Sequence, residues 1–395
     1  MRKLHKLALA VSFACVAGMA PTAMAATDAE ILTAIDGGLG YLAGTQTGGG
    51  YWNYGGYEKG ATGAAAFAML SQQSHWGANA GAYQTQVTNA VNWLLNNVTV
   101  NGNGVYWGTN EATYETGLVT PAIVEYATKF GGGAAGVYNG GGPLNGKTWG
   151  QIAQLISSEW LAIQHPDGGW HYNPQDGSPS DMSTTQWGVI SLLYAQTLGA
   201  NVNGAKAGLA TWLANNQRSD GAGCYQNLNL CNHSDTGGML VGMAFIGKNK
   251  TDPAVQKALS FLNSNWTDPA NNTWYGNFGH PYAMWSVYKG LELEIGIADN
   301  TTITNLRAGN CGGDRGTDCN WWQDYNEFLV ASQAVNGSFP DNTGAYWGNP
   351  LATALTLPIL GGTIIPPPAV PEPGTLGLIG LGLAGLAGLR RRKAA

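Results

Sequence analysis

Tyr41-Leu42-Ala43-Gly44-Thr45-Gln46-Thr47-Gly48-Gly49-Gly50-Tyr51-Trp52 joins an aromatic-aliphatic pair to a glutamine four residues past Leu42, a glycine four further on and a tryptophan two after that. The same offsets recur down the chain. Trp212-Leu213 leads to Gln217 and Gly221, with Gly223 in the tryptophan place, and Phe328-Leu329 leads to Gln333, Gly337 and Phe339. Gln164, Gly168 and Trp170 repeat the second half, although Trp160-Leu161 stands one residue too close. Two weaker copies start at Trp93-Leu94 and Phe261-Leu262, where Val98 and Trp266 replace the glutamine and Trp107 and Trp274 arrive after longer loops. The anchors Tyr41, Trp93, Trp160, Trp212, Phe261 and Phe328 lie 52, 67, 52, 49 and 67 residues apart, so the chain is an array of six units.

Each unit has one grammar. Before the anchor, apolar residues fall three to four apart, as in Val87, Val91, Leu94 and Leu95, which predicts an amphipathic helix. A loop rich in Gly, Asn and Asp follows. Then comes a far more apolar segment, at 64–70, 118–126, 187–194, 239–246, 282–291 and 351–360. A helix apolar nearly all round is a buried helix. The prediction is an all-α chain of six helical hairpins, each with an outer and an inner helix.

The repeat resembles the QW repeat of squalene-hopene and oxidosqualene cyclases, and the unit count is similar to their α/α toroid domains and those of protein prenyltransferase β subunits. The resemblance covers about residues 27–360 and implies an inner barrel of six helices inside an outer six. Physically, the Gln would bond backbone groups at a neighbouring helix end while the Trp packs beside it.

The two ends read differently. Residues 1–25 combine Arg2, Lys3 and Lys6, an apolar stretch and Ala23-Met24-Ala25, the pattern of a cleavable signal peptide. Residues 26–362 are the toroid and 363–370 a Pro-rich linker. Residues 371–395 hold Val370's neighbours Pro371-Glu372-Pro373, an uncharged run of 16 residues at 374–389, and Arg390, Arg391, Arg392 and Lys393. This tail resembles a PEP-CTERM sorting signal. The resemblance implies an exosortase-type sorting enzyme as partner, a transmembrane helix before processing, and a final place at the cell surface or outside the cell. The run is short of the roughly 20 residues that usually span a bilayer, and the basic cluster would stay cytoplasmic.

Without both ends the chain keeps 11 basic and 23 acidic side chains, a net charge of −12, which repels phosphates and argues against nucleic-acid binding. Cys15 leaves with the signal. Cys224 with Cys231 and Cys311 with Cys319 are close pairs that, in an oxidising compartment, predict two local disulfides.

The chemistry is less legible. Squalene-hopene cyclases protonate substrate with an Asp-x-Asp-Asp motif, which this chain lacks, so terpenoid cyclisation is a remote alternative. The zinc set of protein prenyltransferases finds only Asp318, Cys319 and His280, and Cys311 is the nearer partner of Cys319; neither metal nor cofactor is expected. Glu115, Asp181 with Ser183, Asp235 with Thr236, and His280 recur near inner-helix starts, where they would cap unpaired amides. In a ring those starts converge on one mouth. Glu115, Asp181 and Asp235 would then offer carboxylates for hydrolysis of a glycan, and His280 with Tyr282 a proton acceptor and donor for a lyase. Against this enzyme stands a non-catalytic protein that binds polysaccharide or a surface partner. Its stacking candidates are Trp52, Trp107, Trp170, Trp274 and Tyr172, set in loops among Gly and Asn.

Overall fold

The computed structural model describes residues 26–109, 111–173, 178–271, 274–307, 319–341 and 348–362. Six helical hairpins are found in them. The outer helices are α1 (Asp28–Thr45), α3 (Ala80–Asn96), α5 (Trp149–Ala162), α7 (Lys206–Asn216), α9 (Pro253–Ser264) and α11 (Trp321–Ser332). The inner ones are α2 (Glu58–Ser71), α4 (Ala112–Lys129), α6 (Met182–Thr197), α8 (His233–Phe245), α10 (Pro281–Glu294) and α12 (Gly348–Gly361). Each inner helix packs on the next, and α12 returns to α2, so the ring is closed. The chain is an α/α toroid, as its repeat implied. Two short hairpins interrupt the helices: β1 (Thr99–Val100) with β2 (Val105–Tyr106), and β3 (Cys224–Gln226) with β4 (Asn229–Cys231).

Local sequence sets the helix starts. Thr27 with Glu30, Thr148 with Gln151, and Asn320 with Gln323 form reciprocal capping boxes on α1, α5 and α11. Pro253 and Pro281 open α9 and α10, where a missing N–H costs nothing. The inner helices are buried along most of their length, α2 continuously from Gly60 to Leu70. Where α8 meets α10, a Cβ on Gly237 would collide with the backbone at Ser286, so small residues set how tightly the barrel closes.

The repeated glutamines are stitches between units. Gln46 Nε2 donates to Gly50 O at 3.0 Å and to Gln86 O at 3.0 Å in the next outer helix. Gln164 does the same to Gly168 O and Ala205 O, and Gln217 to Gly221 O and Ala254 O. Gln333 reaches Gly337 O at 2.9 Å and Ala34 O at 2.8 Å, joining the last outer helix to the first. The glycine of each stitch lies against the residue three beyond the one its glutamine holds: Asn89, Gly208, Lys257 and Gly37.

The aromatics that end the first, second, third and sixth repeats turn inward. The indoles of Trp52, Trp107 and Trp170 donate to Leu42 O, Leu94 O and Trp160 O of their own outer helices at 2.8 to 2.9 Å. Their backbone amides donate to Thr62, Thr116 and Thr185 hydroxyls on the inner helices, and Gly223 and Phe339 find Thr236 and Thr353 in the same way. Each loop is therefore tied to both helices of its hairpin. The fourth unit has no indole; a small cluster of Ala222, Cys224 and Cys231 packs on Phe261 there. The Cys224–Cys231 disulfide is formed, and Cys319 is disulfide-bonded, while Cys311 lies outside the described residues.

The fifth unit is stitched differently. Trp266 stands for the glutamine, and its indole donates to the buried carboxylate of Asp324 at 2.8 Å. Arg307 Nε holds the same carboxylate at 2.9 Å and lies over the Phe278 ring. No described helix is long and apolar enough to cross a membrane; the signal peptide and the sorting tail lie outside the described residues.

Candidate functional site

The inner-helix starts converge on one mouth of the ring. Three depressions there, of about 520, 260 and 390 Å³, run into one another. Glu115 is shared by the first and second, and Tyr114 and Tyr282 by the second and third, so the three follow one another with shared walls as a segmented groove. At one end Tyr51 stacks on Trp93 with ring centroids 4.8 Å apart. Across the floor Tyr114 lies between Tyr172, nearly parallel at 5.8 Å, and Tyr282 at 6.3 Å. The other end carries Trp274, Tyr275 and Leu230, which are 46%, 42% and 64% exposed.

Glu115, Asp235 and Tyr282 line this groove, and Asp181 lies beneath it. Glu115 Oε2 accepts the Gly60 amide at 2.9 Å, tying α4 to the start of α2, and burial pushes its carboxyl up. Asp181 caps α6: it accepts from Thr184 N at 2.9 Å, the Thr184 hydroxyl at 2.9 Å and the Ser183 hydroxyl at 2.5 Å. Burial still outweighs those bonds and raises its pKa. Asp235, in the first turn of α8, is pushed well above the usual carboxylate range by burial and then by the charge of Asp181. Both effects favour its protonated form. A chain of hydroxyls runs from Tyr225 to Tyr172 at 3.2 Å, to Ser183 at 3.3 Å and on to Asp181.

His280, the proton acceptor that the sequence offered, stands as a helix cap. It is wholly buried at the start of α10, its Nδ1 accepts the Ala283 amide at 3.3 Å, and burial lowers its pKa to about 4. The neutral imidazole is a helix cap. Trp52, Trp107 and Trp170 are likewise corrected from ligand platforms to core: each is at most 1% exposed, with its N–H spent on a helix carbonyl. Tyr172 and Trp274 do stand at the groove.

Four wall residues escaped the sequence reading: Glu111, Tyr114, Trp187 and Tyr225. Glu111 sits one helical turn before Glu115, a spacing that places both acids on one face and was visible in the sequence. Burial raises its pKa, and the charge of Asp181 adds to that. Tyr225 is brought in by the disulfide hairpin, for which the sequence offered no direction.

Other buried acids make stability depend on pH. Burial, helped by Asp252, lifts Glu294 to about 8, and burial lifts Glu327 to about 7. A raised carboxyl pKa means that the folded state binds more protons than the unfolded one above about pH 4.3. Stability is therefore full below that pH and is lost as pH rises through 7 to 8. The midpoint of thermal unfolding is expected to be roughly 3–5 °C higher at pH 5 than at pH 8. Differential scanning calorimetry at the two values checks this, and a midpoint that rises with pH contradicts it.

Residues 369–393 match the PEP-CTERM protein-sorting motif. This motif marks exported proteins that are anchored at the membrane before processing and then released to the cell surface. No curated protein sequence matches the chain. Among solved structures, it is similar to a family 76 glycoside hydrolase (mannosidase) from Bacteroides thetaiotaomicron, with a TM-score of 0.57 and 10% identity over 84% of this chain and 97% of that one. An α-1,6-mannanase from Salegentibacter aligns with a TM-score of 0.55 and 10% identity over 84% of this chain and 98% of that one. At such identity the likeness concerns the fold: this is an exported α/α toroid whose chain ends in a PEP-CTERM sorting motif.

Proposed function

We propose that the toroid mouth is the binding groove of a cell-surface or extracellular glycan-binding protein, sorted through its tail by an exosortase-type enzyme. The supporting observation is the aromatic lining of all three depressions, Tyr51 and Trp93 in one and Tyr114, Tyr282 and Trp274 in contact across the others. Flat rings match the C–H faces of sugars, and the carboxyls, phenols and Asn232 between them offer partners for hydroxyls. The length of the groove suits several sugar units of a polymer. The two similar structures are named for mannan hydrolysis, which agrees with a polysaccharide as ligand.

The test is a panel of bacterial and plant polysaccharides, with binding and released reducing ends both recorded. Trp274→Ala should weaken binding about tenfold by removing one stacking face. Its unfolding midpoint should not move, because the ring is half in solvent. An unchanged affinity in a folded variant counts against the groove.

A second reading is hydrolysis of the bound glycan. It is favoured by Asp235, where burial and then the charge of Asp181 oppose ionisation and so favour the protonated form that a general acid needs. Asp235 would protonate the departing glycosidic oxygen, and Glu115 or Glu111 across the shared wall would take a proton from water or attack the sugar.

A further inference from the structure

We infer that the ligand of this groove is a polycation, a chain of amino sugars with free ammonium groups. This rests on the glycan-binding reading above and adds the chemical class. Among the described residues the charged side chains that line the groove are Glu58, Glu111, Glu115 and Asp235, with Lys59 as the one cation. Asp181 lies just below them, wholly buried.

The acids are deep as well as numerous. Glu115 and Asp235 are 4% and 3% exposed, positions where proteins seldom leave a carboxyl without a cation beside it. Lys59 tempers Glu115 only from beyond ion-pair distance, and among the described residues no cation tempers Asp235. The indole N–H of Trp187, buried in the wall of the central depression, has the Tyr114 hydroxyl as its neighbour but makes no short, well-aligned hydrogen bond to it. A bound chain of amino sugars would answer these groups at once. Its ammonium groups would lie between the carboxyls and against the faces of Tyr114, Tyr282 and Trp274, and a sugar hydroxyl would accept from Trp187.

The same lining disfavours the alternatives. Uronic acids and sulfated or phosphorylated glycans would bring anions against Glu58 and three carboxyls whose ionisation burial already opposes, with Lys59 as the one cation in the described lining to answer them. A neutral glycan would gain nothing from the charge, which would then be only a desolvation cost. Burial raises Glu111, Glu115 and Asp235 together and so favours their protonated forms in the free groove. An arriving ammonium group stabilises the ionised carboxylates and drives those protons off.

Isothermal titration of the full chain with glucosamine hexamers, in β-1,4 and β-1,6 linkage, tests this beside the N-acetylated hexamers, mannan and oligogalacturonate. The expected result is at least tenfold tighter binding of a free-amine hexamer than of its acetylated form. Protons should be released on binding, as read from two buffers of different ionisation heat, and affinity should fall steeply with salt. Glu111→Gln combined with Glu115→Gln should erase most of the preference. Equal or tighter binding of an acetylated, neutral or acidic glycan, or binding without proton release, overturns the amine assignment and leaves the groove standing. Failure of every glycan to bind overturns the groove and this inference together.

Discussion

Gly337→Ala is expected to destabilise the protein by about 3 kcal/mol or more, a larger loss than any surface substitution should give. Gly337 has φ +86°, a conformation an L side chain resists, and a Cβ there would run into the backbone of Gly37 in α1. The glycine carbonyl is also one of the two acceptors of Gln333, whose other acceptor, Ala34 O, belongs to the first helix. Strain at this point opens the seam where the last unit meets the first. Gly40→Ala is the control: it lies in the same α1, its Cβ would enter open space, and it should stabilise by about 0.5–1 kcal/mol. Urea denaturation of both variants checks the pair, and similar midpoints would mean that the seam carries little of the stability.

Asp235→Asn separates binding from turnover. Asparagine has the shape of a protonated aspartic acid and leaves Asn232 a partner, so glycan affinity for neutral ligands should stay within a few-fold. If the groove hydrolyses its ligand, release of reducing ends should fall by about 10²- to 10⁴-fold, the usual worth of a general acid. The same change should raise stability at pH 8. With a folded pKa held above the unfolded one, Asp235 loses stability as pH climbs through that window, and asparagine has no proton to lose. Turnover that survives the substitution would place the acid elsewhere, and a drop in stability at pH 8 would mean that the carboxyl is charged in the folded protein.

The fold was legible because each unit carries its signal locally. Gln46, Gly50 and Trp52 recur at fixed offsets, since the glutamine must reach its own loop and the next outer helix across a constant distance. The direction of the loop aromatics was not legible. A tryptophan two residues past a left-handed glycine, as Trp52 and Trp170 are, points to solvent or back to its helix depending on one turn, and both turn back, as does Trp107 after Val105. Their partners on the inner helix, Thr62, Thr116 and Thr185, follow them by 10, 9 and 15 residues, so no fixed period betrays them. The candidate acids were found through their place at helix starts, yet only contact across the ring distinguishes the cap His280 from the wall residue Asp235. The rim is a special case. Asn227, Leu228, Leu230 and Trp274 are the non-glycine residues with left-handed backbone among those described, and they gather around one end of the groove, two of them in its wall.

The stitch from Gln333 to Ala34 also bears on topology. An open solenoid needs terminal repeats with polar outer faces, whereas a ring whose last unit holds its first has no terminal repeat to protect. Its six units are interchangeable in order of synthesis. Circular permutants that start at the loop before α3 or α7, with the present α12 joined by a short linker to α1, should close into the same ring with the same mouth.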